Sequence, residues 1–380
     1  MSSSSSTVMI TGTGVFAPSE VITNAELVVA FNAYADLQNE KHAKEIEAGT
    51  REPVPYSSEE FIFKASGIEQ RYVLNKSGIL DPEIMHPMFE KRGNDELSLM
   101  AEMAVKAANI AMEQAGKTAA DIDAVIVAAS NHERAYPAIA VEVQNALGIQ
   151  GFGFDMNVAC SSATFGIQAA ADMIRSGSAR SILMVNPEIC SGHLEWRDRD
   201  CHFIFGDVCT AVLLEDKDYA TANEQYEILA TRCLTKFSNN IRNNNGFLRR
   251  SIKDGMQDQR QMQFMQNGRK VFKEVVPMVS GFILDHLADE SIEVKDLSRM
   301  WLHQANKAMN DFIGKKVLGR APVDGEQPNI LQEYANTSSA GSIIAFSEHN
   351  KDLPNGAVGI ICSFGAGYSA GNVIVKKHIA

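Results

Sequence analysis

Cysteine and tryptophan are scarce in this 380-residue chain, at six and two residues. No cysteine pair has Cys-x-x-Cys spacing, so the sequence carries no metal or dithiol motif. Cysteines used this sparingly suit a reducing cytoplasm. In that setting Asn336-Thr337-Ser338 has no meaning as a glycosylation acceptor. Long apolar runs are absent too. None approaches the roughly 20 residues needed to span a bilayer, which excludes a membrane-spanning role. The serine-rich start, Met1 to Ser6, lacks the basic and apolar regions of a signal peptide. Basic charge is in deficit, with 35 Lys and Arg against 47 Asp and Glu, a net charge of −12. Nucleic acid is an improbable partner for such a chain, because phosphate binding needs a basic face.

What is present is a large apolar fraction, 45% of the residues, ample for a sizeable core. Strand signals alternate with helical patterns, so an α/β architecture with mainly parallel central strands is expected. The most informative stretch is Asn157-Val-Ala-Cys160-Ser161-Ser162-Ala163. It places a cysteine where a short strand (Gly151 to Met156) turns into a small-residue helix (Ser161 to Arg175). A sulfur at a helix start meets free N–H groups and the positive end of the macrodipole. Both favour the nucleophilic thiolate. A lone cysteine is nonetheless more often a buried structural residue.

Two distant segments shift that balance. Trp301-Leu302-His303-Gln304-Ala305-Asn306 reads as an apolar strand ending in histidine, followed by a helix over Lys307 to Leu318. Tyr334-Ala335-Asn336-Thr337-Ser338-Ser339-Ala340-Gly341 reads as another turn opening a small-residue helix. A cysteine, a histidine and an asparagine that meet in space form a candidate nucleophilic site.

An internal repeat links them. Asp121 to Ser130 resembles Asp296 to Ala305, and each block follows a long amphipathic helix, Leu97 to Gly116 and Val271 to Ala288. Each is followed by a helix ending in Leu-Gly, at Leu147-Gly148 and Leu318-Gly319. Each half closes with an apolar strand, Ser181 to Asn186 and Ala357 to Ser363. Cys160 and Asn336 therefore hold equivalent places in two similar halves. Such self-similarity suggests duplication, with residues 1–220 as the nucleophile-bearing half and 221–380 as the half carrying His303 and Asn336.

At this level the chain resembles β-ketoacyl-ACP synthase III, the initiating condensing enzyme of the thiolase superfamily. The resemblance runs from about Val8 to the end. It rests on Gly12-Thr-Gly-Val-Phe-Ala-Pro18, Ser66-Gly-Ile-Glu-Gln-Arg71, Ala159-Cys160-Ser161, Phe205-Gly206-Asp207, His303-Gln-Ala-Asn306, Asn336-Thr-Ser338 and Phe364-Gly-Ala-Gly367. It implies a thiolase-like fold of two pseudo-twofold βαβαβ halves in an α/β/α/β/α core. It implies a homodimer that condenses an acyl-CoA primer with malonyl-ACP through an acyl-cysteine, initiating fatty acid synthesis without a metal or redox cofactor. By resemblance Cys160, His303 and Asn336 are catalytic, and the backbone N–H groups of Cys160 and Ala366 form the oxyanion site. Arg199, Phe205 and Asn306 match positions near the coenzyme A or pantetheine arm. Tyr136 matches an aromatic that closes the partner subunit's acyl pocket. The alternatives are a quinolone- or polyketide-type condensing enzyme with the same triad, or a non-catalytic scaffold subunit.

The chain also departs from the family pattern. Phe61 stands where a tryptophan usually stacks on the adenine, with Lys64 as its nearest cation. Ala308 stands at the usual carrier-docking arginine, beside Lys307. A basic docking patch is expected among Arg249, Arg250, Lys253, Arg269, Lys270, Lys273, Lys307, Lys315 and Lys316, with Arg249, Arg250, Lys273 and Lys307 foremost. The polar stretch from Asn32 to Tyr56 is longer than usual and reads as a surface helix, with a cover over the acyl pocket as the alternative. Lys236 to Gln263 reads as an exposed loop and helix.

Overall fold

The computed structural model describes residues 6–244, 246–253 and 258–379. Nine strands build its main sheet: β1 (Val8–Phe16), β2 (Ala124–Ala128), β3 (Phe152–Met156), β4 (Ser181–Ile189), β5 (Asp207–Asp216), β6 (Glu224–Thr235), β7 (Leu297–Leu302), β8 (Val358–Gly365) and β9 (Ser369–Ile379). The longer helices are α1 (Asn24–Lys41), α2 (Glu59–Ser66), α3 (Leu99–Ala115), α4 (Ile139–Leu147), α5 (Ser162–Arg175), α6 (Gly268–Asp289), α7 (Lys307–Leu318) and α8 (Ala340–Glu348).

The sheet order is β7-β8-β9-β6-β1-β5-β4-β2-β3. β1 and β6 meet in the middle through Met9 opposite Glu227 and Ile10 opposite Tyr226. From that seam the order is symmetric: β1-β5-β4-β2 on one side, β6-β9-β8-β7 on the other. Only β3 has no counterpart. The expectation of mainly parallel central strands is corrected. β2 runs parallel to β3 and β4, and β7 to β8, so parallel pairing lies toward the edges. The middle strands pair antiparallel. The reason is connectivity. Parallel neighbours need a helical crossover, supplied here by α4, α5, α7 and α8, whereas β4–β5 and β8–β9 are joined without one.

Three apolar cores separate five layers. α5 and α8 lie in the centre, where Ile167 and Ile343 pack with Ile126 and Met184 of one half-sheet and Trp301 and Ile361 of the other. On one outer face, Ala104 and Ala108 of α3 and Val143 of α4 cover Val125 and Leu183. On the other, Val275 and Val279 of α6 and Ile313 of α7 cover Met300 and Ile360. This is the α/β/α/β/α arrangement. It requires backbone-to-backbone contact where α3 crosses β1. A Cβ on Gly12 would stand 2.1 Å from the carbonyl of Ala111, and one on Gly14 2.0 Å from that of Ala107. The Gly12-Thr-Gly14 motif is thus a packing requirement.

The Asn32 to Tyr56 stretch forms the end of α1, a short helix (Ala43–Glu47) with no buried residue, and an extended return. Asn32 pairs with both backbone groups of Ser57, and Asn39 with both of Val54. These two amide clamps hold the return against α1, at the surface as expected. The expected helix within Lys236 to Gln263 is not found among the described residues. Ile241–Arg242 pairs with Met265–Gln266, and two short 3₁₀ turns lie between. Among the described residues no helix is long and apolar enough to cross a membrane.

Candidate active site

The two central helices start side by side, and each start is preceded by a strained turn. Ala159, just before Cys160, has φ +48°, and Ala335, just before Asn336, has φ +57°. Non-glycine residues adopt this left-handed region only where surrounding contacts enforce it. Around Cys160 the enforcing contacts are local. Asn157 accepts from the N–H of Ala159 at 2.9 Å and donates to the Ser130 carbonyl at 2.8 Å. The Ser162 hydroxyl accepts from Val158 N–H and donates to the Ala159 carbonyl. Cys160 itself sits in a 3₁₀ turn (Ala159–Ser161) that feeds α5. β8 closes against it, and a Cβ on Gly365 would lie 2.6 Å from that of Cys160.

Around Asn336 the contacts come from the other half. Its N–H donates to the Ile204 carbonyl at 3.0 Å, and its carbonyl accepts from Gly206 N–H at 3.1 Å. Its side-chain oxygen accepts from Ser338 N–H at 2.9 Å. The amide nitrogen thereby remains as a donor at the cavity wall. His303 follows β7. Its N–H donates to the Cys362 carbonyl, and Nδ2 of Asn310 donates to its carbonyl. The ring stands edge-on to Phe364, with centroids 5.2 Å apart.

Cys160, His303 and Asn336 line one cavity of about 280 Å³. Its walls are largely apolar, with Phe203, Ile204, Phe205, Phe264, Val271 and Val275 prominent. Burial holds the His303 imidazole down at about 4, against a backbone hydrogen bond with Ser338 that raises it, so the ring is neutral at physiological pH. Burial pushes the Cys160 thiol up to about 11, a correction to the expectation from its helix-start position. The Ser338 hydroxyl, and the N–H groups of Ala366 and of Cys160 itself, pull the other way. Those two N–H groups are the expected oxyanion donors.

The remaining candidates scatter more. Phe205 and Asn306 line the cavity. The Asn306 amide is already engaged, donating to Ala65 O at 2.6 Å and accepting from Met309 N–H as the cap of α7. Lys64 is exposed, and the cation on Phe61 is Arg199 instead, 3.8 Å from the ring centroid and anchored to the Tyr56 carbonyl. Chain spacing favoured Lys64, because only the folded loop brings Arg199 across. Tyr136 is 85% exposed and does not touch this cavity. Arg249 is buried, its guanidinium against the Met262 sulfur, which removes it from an exposed docking patch. Lys307 pairs with Asp311. Arg250, Lys253, Arg269, Lys270, Lys273, Lys315 and Lys316 are exposed.

Two residues at the site had no assigned role in the sequence. Ser338 donates to the Cys160 sulfur at 3.5 Å. Glu188, buried on β4, accepts from the backbone and hydroxyl of both Ser130 and Ser339. Burial raises this carboxyl to about 7 against those four donors. The Asn-Thr-Ser stretch that held Ser338 reads equally well as a helix cap, which hid it.

A protein from Pseudomonas aeruginosa named β-ketodecanoyl-ACP synthase is 59% identical over 92% of this chain and 99% of its own length. The chain belongs to the 3-oxoacyl-ACP synthase III family. The family's two domain descriptions, 3-oxoacyl-ACP synthase III and its C-terminal part, match residues 154–236 and 287–377. An Acidiphilium cryptum β-ketoacyl-ACP synthase III is 34% identical over 72% of this chain and 83% of its own length. Among solved structures, 3-oxoacyl-ACP synthase III of Aquifex aeolicus superposes with a TM-score of 0.75 at 24% identity, covering 97% of this chain and 99% of its own. The priming β-ketosynthase of the R1128 polyketide pathway gives 0.77 at 22%, covering 97% and 96%. These structures share the thiolase-like fold. As a member of this family the chain is a condensing acyltransferase, and Cys160, His303 and Asn336 line one cavity in it.

Proposed function

We propose that this enzyme joins a medium-chain acyl-CoA to malonyl-ACP by decarboxylative Claisen condensation. The observation that carries the reading is the convergence of Cys160, His303 and Asn336 on one apolar cavity. The Cys160 thiolate attacks the acyl thioester, a carbon–sulfur bond forms, and coenzyme A leaves with the thiol proton. Backbone N–H groups of Cys160 and Ala366 hold the oxyanion. Malonyl-ACP then loses carbon dioxide. Neutral His303, its one N–H turned from the Ser338 backbone to the substrate, and the Asn336 amide donate to its thioester oxygen as that oxygen becomes an enolate. The enolate carbon attacks acyl-Cys160, releasing the thiolate and β-ketoacyl-ACP. No cofactor is required by these steps, since decarboxylation generates the carbanion.

The relative's name supports a primer length. A β-ketodecanoyl product exceeds its primer by the two carbons that malonyl contributes, so that name implies an octanoyl primer. The apolar walls here favour the same class, at up to about 0.8 kcal/mol per buried methylene. The carrier docks on exposed Arg269, Lys270 and Lys273, on the first turns of α6, whose Gly268, Val271 and Phe272 line the cavity. A cytoplasmic homodimer completes the reading. The support for the dimer is the outer edge of β3, unpaired among the described residues, with Phe152 exposed on that strand.

The test is intact mass after incubation with acyl-CoAs of increasing length. Octanoyl-CoA should add one acyl mass, mapped to Cys160 and absent from Cys160→Ala. An adduct that survives this substitution, or a higher kcat/KM for acetyl-CoA than for octanoyl-CoA, would overturn the reading.

A further inference from the structure

We propose that Ser338 is a further catalytic residue, its hydroxyl donating to Sγ of Cys160 and stabilising the thiolate that attacks the acyl donor. This rests on Cys160 being the acyl acceptor. Ser338 is 2% exposed, and its hydroxyl reaches the sulfur at 3.5 Å. A buried hydroxyl needs a partner, and no other is seen for it among the described residues. A donor to sulfur favours the charged form. That help matters here because burial otherwise keeps the thiol protonated near neutrality.

The hydroxyl is held in place rather than incidentally near. Ser338 has φ +51°, a conformation that persists only under surrounding constraint. Its own N–H is tied to Asn336, and the next residue, Ser339, is bound through backbone and hydroxyl to buried Glu188. Glu188 binds Ser130 of the first half in the same way. A single carboxyl thus joins the two halves one residue from the serine, and Glu188 acts as a positioning residue for it. The nucleophile comes from one half and its activating hydroxyl from the other.

The test is the pH dependence of Cys160 alkylation by iodoacetamide, with peptide mapping of the modified site, on the full chain. Ser338→Ala should move the thiol midpoint up by about one unit and slow alkylation near neutral pH roughly tenfold. Ser338→Gly, at ease with positive φ, should behave alike and keeps the test valid if the alanine variant folds poorly. A merely structural role would change the rate equally at every pH. An unchanged midpoint in either folded variant would overturn the proposal. Alkylation needs neither acyl-CoA nor malonyl carrier, so its outcome is independent of the substrate assignment above.

Discussion

The two halves share a scaffold and a turn, and differ in what leads into that turn and what it presents. In the first, β3 leads through Ala159 into Cys160 and the fourteen-residue α5. In the second, a four-residue helix (Leu331–Tyr334) replaces the strand and leads through Ala335 into Asn336 and the nine-residue α8. Both turns use an alanine at positive φ to aim the next side chain at the same cavity. What each aims differs in chemistry, a thiol in one half and a carboxamide in the other. Two similar halves can therefore supply different chemistry to one cavity, provided the turn geometry is kept and the side chain exchanged.

Removing the donor breaks this comparison most strongly. Asn336→Ala should still form acyl-Cys160 by intact mass, yet release labelled carbon dioxide from malonyl-ACP about 100- to 1000-fold more slowly. Full decarboxylation by a folded variant, or loss of acylation, would show that the halves do not divide the work.

Crowding the nucleophile has the next largest effect. The new methyl of Gly365→Ala would meet Cys160 at 2.6 Å. Overpacking of this kind costs about 1–3 kcal/mol, readable as a lower denaturant midpoint, with acylation slowed more than decarboxylation. Equal slowing of both steps would mean that β8 serves the two sides alike.

Charge reversal at the cavity mouth sharpens the second half's role. Lys270→Glu with Lys273→Glu should raise KM for malonyl-ACP a few-fold, as exposed charges contribute about 0.2–1 kcal/mol each. The effect should shrink with added salt and leave acyl-CoA acylation unchanged. An unaltered KM would move the docking face elsewhere.

The smallest effect concerns pH. His303 is held at about 4, well below the ordinary histidine value, so the ring should stay neutral from pH 8 to about 5 and any change in decarboxylation over that window should persist in His303→Gln. A neutral buried imidazole favours the fold above the unfolded value of about 6.5, and that contribution is lost as pH falls through about 4. A step in the pH–rate profile near 6.5 that His303→Gln removes would contradict this.

Several elements were legible from residues alone. The helix expected over Lys307 to Leu318 spans those same residues in the structure. The repeated Leu-Gly ends mark the ends of α4 and α7, and the alanine-rich run from Leu97 to Gly116 became α3 within two residues. Periodicity and chain punctuation are local, so they survive without tertiary information. Contacts across the chain do not. Arg199 lies far from Phe61 in sequence and stacks on it only after the loop folds back. Arg249 counted as a surface cation until the fold buried it. Asn306, a plausible ligand contact by motif, spends its amide on Ala65 and the cap of α7.

The sequence by itself determined the alternation of strands and helices, the repeated blocks and the three residue types that line the cavity. Each of these depends on pattern, spacing and small residues where backbones must touch. Only the tertiary structure decided the antiparallel centre of the sheet, the neutral state of His303 and the raised thiol of Cys160. It alone also placed Ser338 and Glu188 beside them. Those properties arise from burial and from hydrogen bonds between residues distant in the chain, 58 positions apart for Ser130 and Glu188 and 178 for Cys160 and Ser338. No local pattern encodes them, because desolvation and hydrogen bonding are set by what the folded chain brings alongside.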